Sequence, residues 1–148
     1  MRDNSFFIDT NIFVYAFLEP DNYTDNHKHC ISTKLLNGIY ASNVYVSVQV
    51  LNEFYNVLLR YGFSDRRIQT KLEQIVDVVQ ITSLDLNVVK KCWFIKMRYK
   101  FSYWDSLIVA SALESDCSIL YTEDMQNEQI IDGRLKIVNP FERVACKK

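Results

Sequence analysis

Glycine and proline are both scarce, at 3 and 2 residues of 148. That excludes collagen-like, linker-rich and low-complexity readings. Histidine is as rare, with only His27 and His29. Neither sits in a nucleophile-like motif, so a Ser-His-Asp hydrolase has no support. No GxGxxG or Walker A loop occurs, which removes the usual signatures of nucleotide cofactors. The four cysteines, Cys30, Cys92, Cys117 and Cys146, form no CxxC pair and fit neither a zinc ribbon nor a disulfide scaffold. His27, His29 and Cys30 make a His-x-His-Cys run, but no second ligand pair would close a zinc site. Asp3, Asp9 and Asn11 interrupt the first apolar run and make it a poor signal peptide. Reduced thiols in a cytoplasmic protein are therefore expected. The longest charge-free run, 35–52, contains Asn37, Asn43, Gln49 and Asn52 and is a poor membrane span.

Apolar material is plentiful. Hydrophobic residues are 49% and aromatics 14% of the chain. A chain of this length buries roughly 68–70% of the surface its unfolded form exposes. One domain spanning 1–148 is expected. The net charge is −1, which disfavours a general polyanion coat. Charge is unevenly spread, however. Residues 114–132 carry six acids and no Lys or Arg, and 90–100 carry five bases and no acid.

Short apolar runs alternate with helical patterns. Ser5 to Ile8, Val44 to Ser47, Val78 to Ile81, Ser118 to Tyr121 and Lys136 to Val138 read as strands. Helices are predicted over 10–18, 21–39, 49–60, 64–76, 83–98 and 103–115. Ser64, Ser83 and Ser102 are the expected caps or openings of the last three. This alternation predicts an α/β fold whose parallel sheet is covered on both faces. Ligands of such sheets bind beyond the carboxyl ends of strands, where strand order reverses.

Acids fall near those ends. Asp9 ends the first strand and Asp124 lies just past the fourth. Glu53 and Asp105 lie in the first turns of helices. The apolar settings Phe-Phe-Ile-Asp, Val-Leu-Asn-Glu-Phe and Tyr-Trp-Asp-Ser-Leu-Ile are unusual for solvated acids. Taken singly, each acid also has a structural reading, as a cap or a dipole partner. Taken together, four carboxylates about 5 Å apart at an effective dielectric near 20 would repel by about 3 kcal/mol per pair. Six such pairs exceed the typical net stability of a domain, about 5–15 kcal/mol. The cluster needs protons, a basic partner or divalent ions. Oxygen-only ligands select hard ions such as Mg²⁺ or Mn²⁺.

These motifs resemble those of PIN domains. Phe7-Ile8-Asp9-Thr10-Asn11-Ile12 resembles the opening motif, and Ser47 with Asn52-Glu53-Phe54 the second. Tyr103 to Ile108, with Ala110 and Ala112, resembles the third, and Leu120 to Met125 the fourth. The ending Ile137-Val138-Asn139-Pro140-Phe141 is similar to that of bacterial members. The resemblance implies a three-layer α/β/α domain with a central, mainly parallel five-stranded sheet. It also implies a VapC-type toxin: a Mg²⁺- or Mn²⁺-dependent endoribonuclease acting on an RNA substrate, inhibited by a cognate antitoxin, and a homodimer. Carried over residue by residue, Asp9, Glu53, Asp105 and Asp124 become the catalytic and metal-holding acids. Asn11 and Thr122 match supporting positions, and Glu123 competes with Asp124 as fourth acid. An RNA-processing nuclease without an antitoxin and a catalytically silent RNA- or protein-binding module are the alternatives. Lys96, Arg98 and Lys100 are candidate phosphate contacts, against the plainer reading of a solvated helix face. Tyr99, Phe101 and Tyr103 are candidate base-stacking residues, whereas Trp104 is assigned to the core through the apolar face of its helix.

Overall fold

The computed structural model describes residues 4–21 and 23–142, with side chains except at 23–25. Asp3 and Cys146 lie outside the described residues. Strand β1 is Ser5–Ile8. Phe7 and Ile8 are fully buried, as a central strand covered on both faces requires. Helix α1, Thr10–Phe17, follows at once and is capped by Asp9, whose side chain accepts from the Thr10 amide. It ends before Pro20, where the preceding residue is biased out of the helical region. Helix α2 is Tyr23–Ile39 and strand β2 is Asn43–Ser47. Helix α3, Val48–Arg60, buries Val50, Phe54 and Leu58 at four-residue spacing. Helix α4, Asp65–Val78, has the expected Ser64 cap, which accepts from Arg67 N at 3.2 Å.

Two boundaries differ from expectation. Val78, the first residue of the expected strand, belongs to α4, because Ile68 and Ile75 anchor the helix and Val79 N–H still bonds Ile75 O. Strand β3 is therefore Gln80–Thr82 rather than 78–81. Helix α5, Leu86–Tyr99, is capped by Asp85 rather than opened by Ser83, with Val88 N donating to Asp85 Oδ1 at 3.0 Å. An ionised carboxylate is the stronger acceptor at a cap. Helix α6, Tyr103–Glu114, keeps its Ser102 cap and buries every residue from Ser106 to Leu113. Strands β4, Ile119–Tyr121, β5, Ile130–Ile131, and β6, Leu135–Val138, complete the chain.

The sheet order is β3-β2-β1-β4-β6-β5. The five expected strands are all parallel. The two-residue β5 is an addition, antiparallel to β6 at the edge. It is too short for a sequence pattern. Its turn uses Asp132 and Gly133 at φ 52° and 67°, left-handed conformations that Gly, and to a lesser degree Asp, tolerate.

Helices α1 to α4 pack along one another, and α5 packs on α6. Right-handed crossovers put these two groups on opposite faces, giving three layers. Strand order reverses between β1 and β4, so the ends of those strands open a crevice at Asp9 and Thr122. Among the described residues, no helix is long and apolar enough to cross a membrane. Among the described residues, Cys92 and Cys117 are free and buried.

Candidate active site

Asp9 stands where β1 ends, and only 5% of it is exposed. Its Oδ1 accepts the Thr10 amide at 2.7 Å and its Oδ2 accepts the Thr122 hydroxyl at 2.8 Å. Burial is the main reason its pKa rises to about 7. The two hydrogen bonds oppose that rise, while the charges of Asp124 and Glu53 add to it. Asp9 is thus both the helix cap and a member of a carboxylate cluster, two readings the sequence left as alternatives.

Glu53 comes from the second turn of α3 and is held from two sides. Thr10 Oγ1 donates to its Oε2 at 2.8 Å, and Gln49 Nε2 donates to its Oε1 at 2.9 Å. Asp105 lies in the first turn of α6, but Ser102 does the capping, accepting from Asp105 N at 3.2 Å. The Asp105 side chain is therefore not consumed as a cap. Its pKa is raised by burial and by the charge of Glu53, with Ser102 opposing. Asp124 follows β4, and its amide donates to Thr122 Oγ1 at 3.2 Å. Burial raises its pKa first, then the charges of Glu123, Asp105 and Glu53, while Lys28 lowers it.

Asp9, Glu53, Asp105 and Asp124 therefore share one electrostatic field, though they come from four separate segments. Every resolved shift among them is upward, first through burial and then through the charges of the neighbouring acids. Among the described residues, no three acids, histidines or cysteines are close enough to form a ready metal cage. The donor set still fits a hard divalent ion. Mg²⁺ keeps several waters and takes only one or two carboxylates directly.

Glu123 is engaged differently. Lys28 Nζ pairs with its Oε2 at 2.8 Å, Asn11 Nδ2 donates to its Oε1 at 3.1 Å, and Tyr15 donates to the same oxygen. Asn11 thus supports Glu123 rather than one of the four acids. Lys28 also sits over the rings of Tyr15 and Phe141, 4.9 and 5.5 Å from their centroids. Sequence reasoning missed Thr10, Gln49, Tyr15 and Lys28. Gln49 had a usable signal, lying four residues before Glu53 on one helix face. Lys28 had none, because α2 reads as an ordinary polar helix.

The basic residues at the end of α5 make local contacts. Lys96 donates to Phe101 O at 3.4 Å, and Arg98 lies 5.5 Å from the Tyr99 ring centroid. Lys100 ends the helix at φ 65°. Trp104 departs from its expected place in the core: it is 63% exposed. It belongs to the first turn of α6, before the helix enters the core at Ser106. A separate pocket at the amino ends of the strands is lined by Asn4, Ser5, Asn43 and Ser118. Its acid, Asp116, is paired with Arg134 at 3.1 Å.

Solved structures share this architecture. A toxin–antitoxin complex from Klebsiella pneumoniae is 17% identical, with a TM-score of 0.67 over 92% of this chain and 98% of that one. FitAcB from Neisseria gonorrhoeae is 19% identical, with a TM-score of 0.65 over 93% and 99%. Mycobacterium tuberculosis VapC20, a sarcin–ricin-loop-cleaving toxin, is 18% identical, with a TM-score of 0.60 over 78% and 87%. No curated protein matches the sequence. At these identities the likeness is one of fold. The PIN domain family model matches residues 6–131, a span that holds all four converging acids, and the chain therefore belongs to the PIN domain family.

Proposed function

We propose that this protein is a Mg²⁺- or Mn²⁺-dependent endoribonuclease and the toxin of a toxin–antitoxin pair. The observation that carries the reading is the mutual field of four carboxylates at the reversal of strand order. Structural likeness to toxins, one of them cleaving the sarcin–ricin loop, supports RNA as substrate. It also supports a cognate antitoxin as partner. A homodimer, a single domain over 1–148 and a cytoplasmic setting complete the reading.

In this reading Asp9 and Asp105 hold the ion directly or through water, and Glu53 and Asp124 complete the negative field. A bound ion supplies Lewis-acid polarisation of the phosphate and a lowered pKa for the attacking water. The protein's own part is positioning. Thr122 sets the Asp9 carboxylate and the Asp124 backbone with one hydroxyl. Thr10 and Gln49 fix both oxygens of Glu53, so that it holds its orientation when the cleft fills. Asp124 rather than Glu123 is the fourth acid, because Glu123 is occupied by Lys28, Asn11 and Tyr15.

The test is RNA cleavage by purified protein with Mn²⁺ or Mg²⁺, and with chelator. Asp9→Asn and Asp105→Asn each keep side-chain shape and remove an anion. Each is expected to reduce cleavage by more than about 100-fold, since even residues that only support metal ligands are worth about 10–100-fold. RNA binding without metal-dependent cleavage would replace the nuclease by a silent binding module. Cleavage in a protein encoded beside no small antitoxin gene would replace the toxin by an RNA-processing enzyme.

A further inference from the structure

We propose that Trp104 is a stacking platform for an unpaired RNA base, set beside the carboxylate cluster to hold the nucleotide next to the cleaved phosphate. The proposal rests on the nuclease reading and adds the residue that grips the substrate.

Trp104 is the exposed exception on a helix otherwise buried from Ser106 to Leu113. Its ring is braced rather than loose. Tyr103 meets it edge-on, with centroids 5.3 Å apart and planes at 89°. Its carbonyl accepts from Gln49 Nε2 at 3.3 Å, and the same nitrogen donates to Glu53 at 2.9 Å. Both partners are acceptors, so the Gln49 amide can face them only with its nitrogen. Its buried Oε1 is accordingly left without a hydrogen-bond partner. One side chain thus sets the Trp104 backbone and a cluster carboxylate in fixed register. Asp105, the next residue, is a single peptide unit away.

Electrostatics explain why a neutral platform is needed there. Four carboxylates repel a phosphodiester, so affinity has to come from outside the cluster. An aromatic face holds a base by stacking and takes no part in that repulsion. Phosphates on either side can meet Lys96, Arg98 and Lys100, just upstream of α6. Other exposed apolar residues, Leu86, Trp93 and Met97, run along one stripe of α5, an element that carries none of the four acids. That stripe suits a protein partner, whereas Trp104 is tied to the acids.

The chain has two tryptophans, so Trp93→Phe leaves Trp104 as the sole indole emitter. In that variant, with Asp9→Asn added to keep RNA intact, a short mixed-sequence single-stranded RNA should quench the emission. The converse variant, Trp104→Phe with Trp93 retained, should show little quenching. In the active chain with Mn²⁺, Trp104→Ala should raise KM by about 5- to 150-fold, with a smaller change in kcat. Trp104→Phe should recover much of the loss, since a phenyl ring still stacks. RNA that binds without quenching Trp104, together with an unchanged KM in Trp104→Ala, overturns the proposal. So does intact RNA binding in Trp104→Ala accompanied by altered sedimentation, which would make the indole a self-association contact. If the alanine variant fails to fold, the quenching measurement, which retains Trp104, still decides. Quenching without cleavage by the parent chain leaves the platform standing and removes the nuclease reading instead.

Discussion

The Thr122 hydroxyl donates to Asp9 Oδ2 at 2.8 Å and ties the carboxyl end of β4 to that of β1. The same oxygen accepts the Asp124 amide, so the hydroxyl uses its donor and one lone pair within the cluster. Thr122→Val keeps the shape and removes both bonds. Asp9 then loses one of the two interactions that restrain its pKa, which should climb above its present value of about 7. Cleavage should fall by about 10- to 100-fold, as for other groups that orient metal ligands. The pH–rate profile should also move upward, and Thr122→Ser should restore both. A lower rate with an unmoved profile would reduce Thr122 to packing.

Asp9 should make the metal-free protein less stable as pH rises. An unfolded Asp titrates near 3.8, whereas folded Asp9 titrates near 7. Between those values the folded state binds more protons than the unfolded chain, so stability falls with rising pH. The Asp9 contribution is fully present below the lower value and gone above the higher one. Asp105 and Asp124 are shifted in the same direction and add to the trend. The Asp9 share is on the order of 4 kcal/mol. Asp9→Asn removes it, and can preserve the bonding, with its oxygen accepting from Thr10 N–H and its amide donating to Thr122. Urea unfolding in chelator should show the variant gaining on wild type from about pH 4 to about pH 7 and holding that gain above it. Parallel stability curves would place the proton elsewhere.

The four acids were legible because each interrupts an apolar run near a strand end or helix start. Of their supports, Thr122 was legible from its motif. Gln49 had only its four-residue offset from Glu53 as a signal, and Thr10 is an ordinary helix residue until α1 and α3 are packed together. Trp104 was misplaced because helical periodicity assigns a face but says nothing of where a helix leaves the core. Val78 and Val79 have the composition of a strand start, but the buried anchors Ile68 and Ile75 carry α4 through Val78. Strands β1, β2, β4 and β6 were readable as short apolar runs, whereas β3 is a largely exposed edge strand whose start was set by the end of α4. The edge pair at Ile130–Ile131 was too short to show any period.

Lys28 is expected to set which acid remains available at the cleft. It neutralises Glu123 and lowers the pKa of Asp124. Its side chain is 28% exposed and that of Glu123 only 14%, so the pair is largely shielded from water. Lys28→Met leaves Glu123 with Asn11 and Tyr15 as donors and should cost about 1–3 kcal/mol of stability. Asp124 should titrate higher, and the acid limb of the pH–rate profile should move upward. Adding Glu123→Gln removes the stranded charge and should recover part of the stability. A double-mutant cycle measures that coupling. Strict additivity of the two changes would mean that the ion pair holds nothing in place.

Divalent ions should reverse the stability order of wild type and the Asp9→Asn, Asp105→Asn variant. In chelator near pH 8 the variant should melt higher, because two repelling charges are gone. An ion that binds only the folded cluster stabilises it by mass action, about 2.7 kcal/mol at 100-fold excess over Kd. The wild type can collect that gain through its carboxylates, whereas the variant offers neutral amides in place of two of them. Saturating Mn²⁺ should therefore lift wild type well above its chelated melting point and leave the variant nearly unmoved. Thermal melts of both proteins under both conditions test the crossing. A Mn²⁺ shift of equal size in the two proteins would place the ion outside this cluster. No shift in either would mean that the four acids are held apart for another purpose, with protonation of Asp9 as the relief of their repulsion.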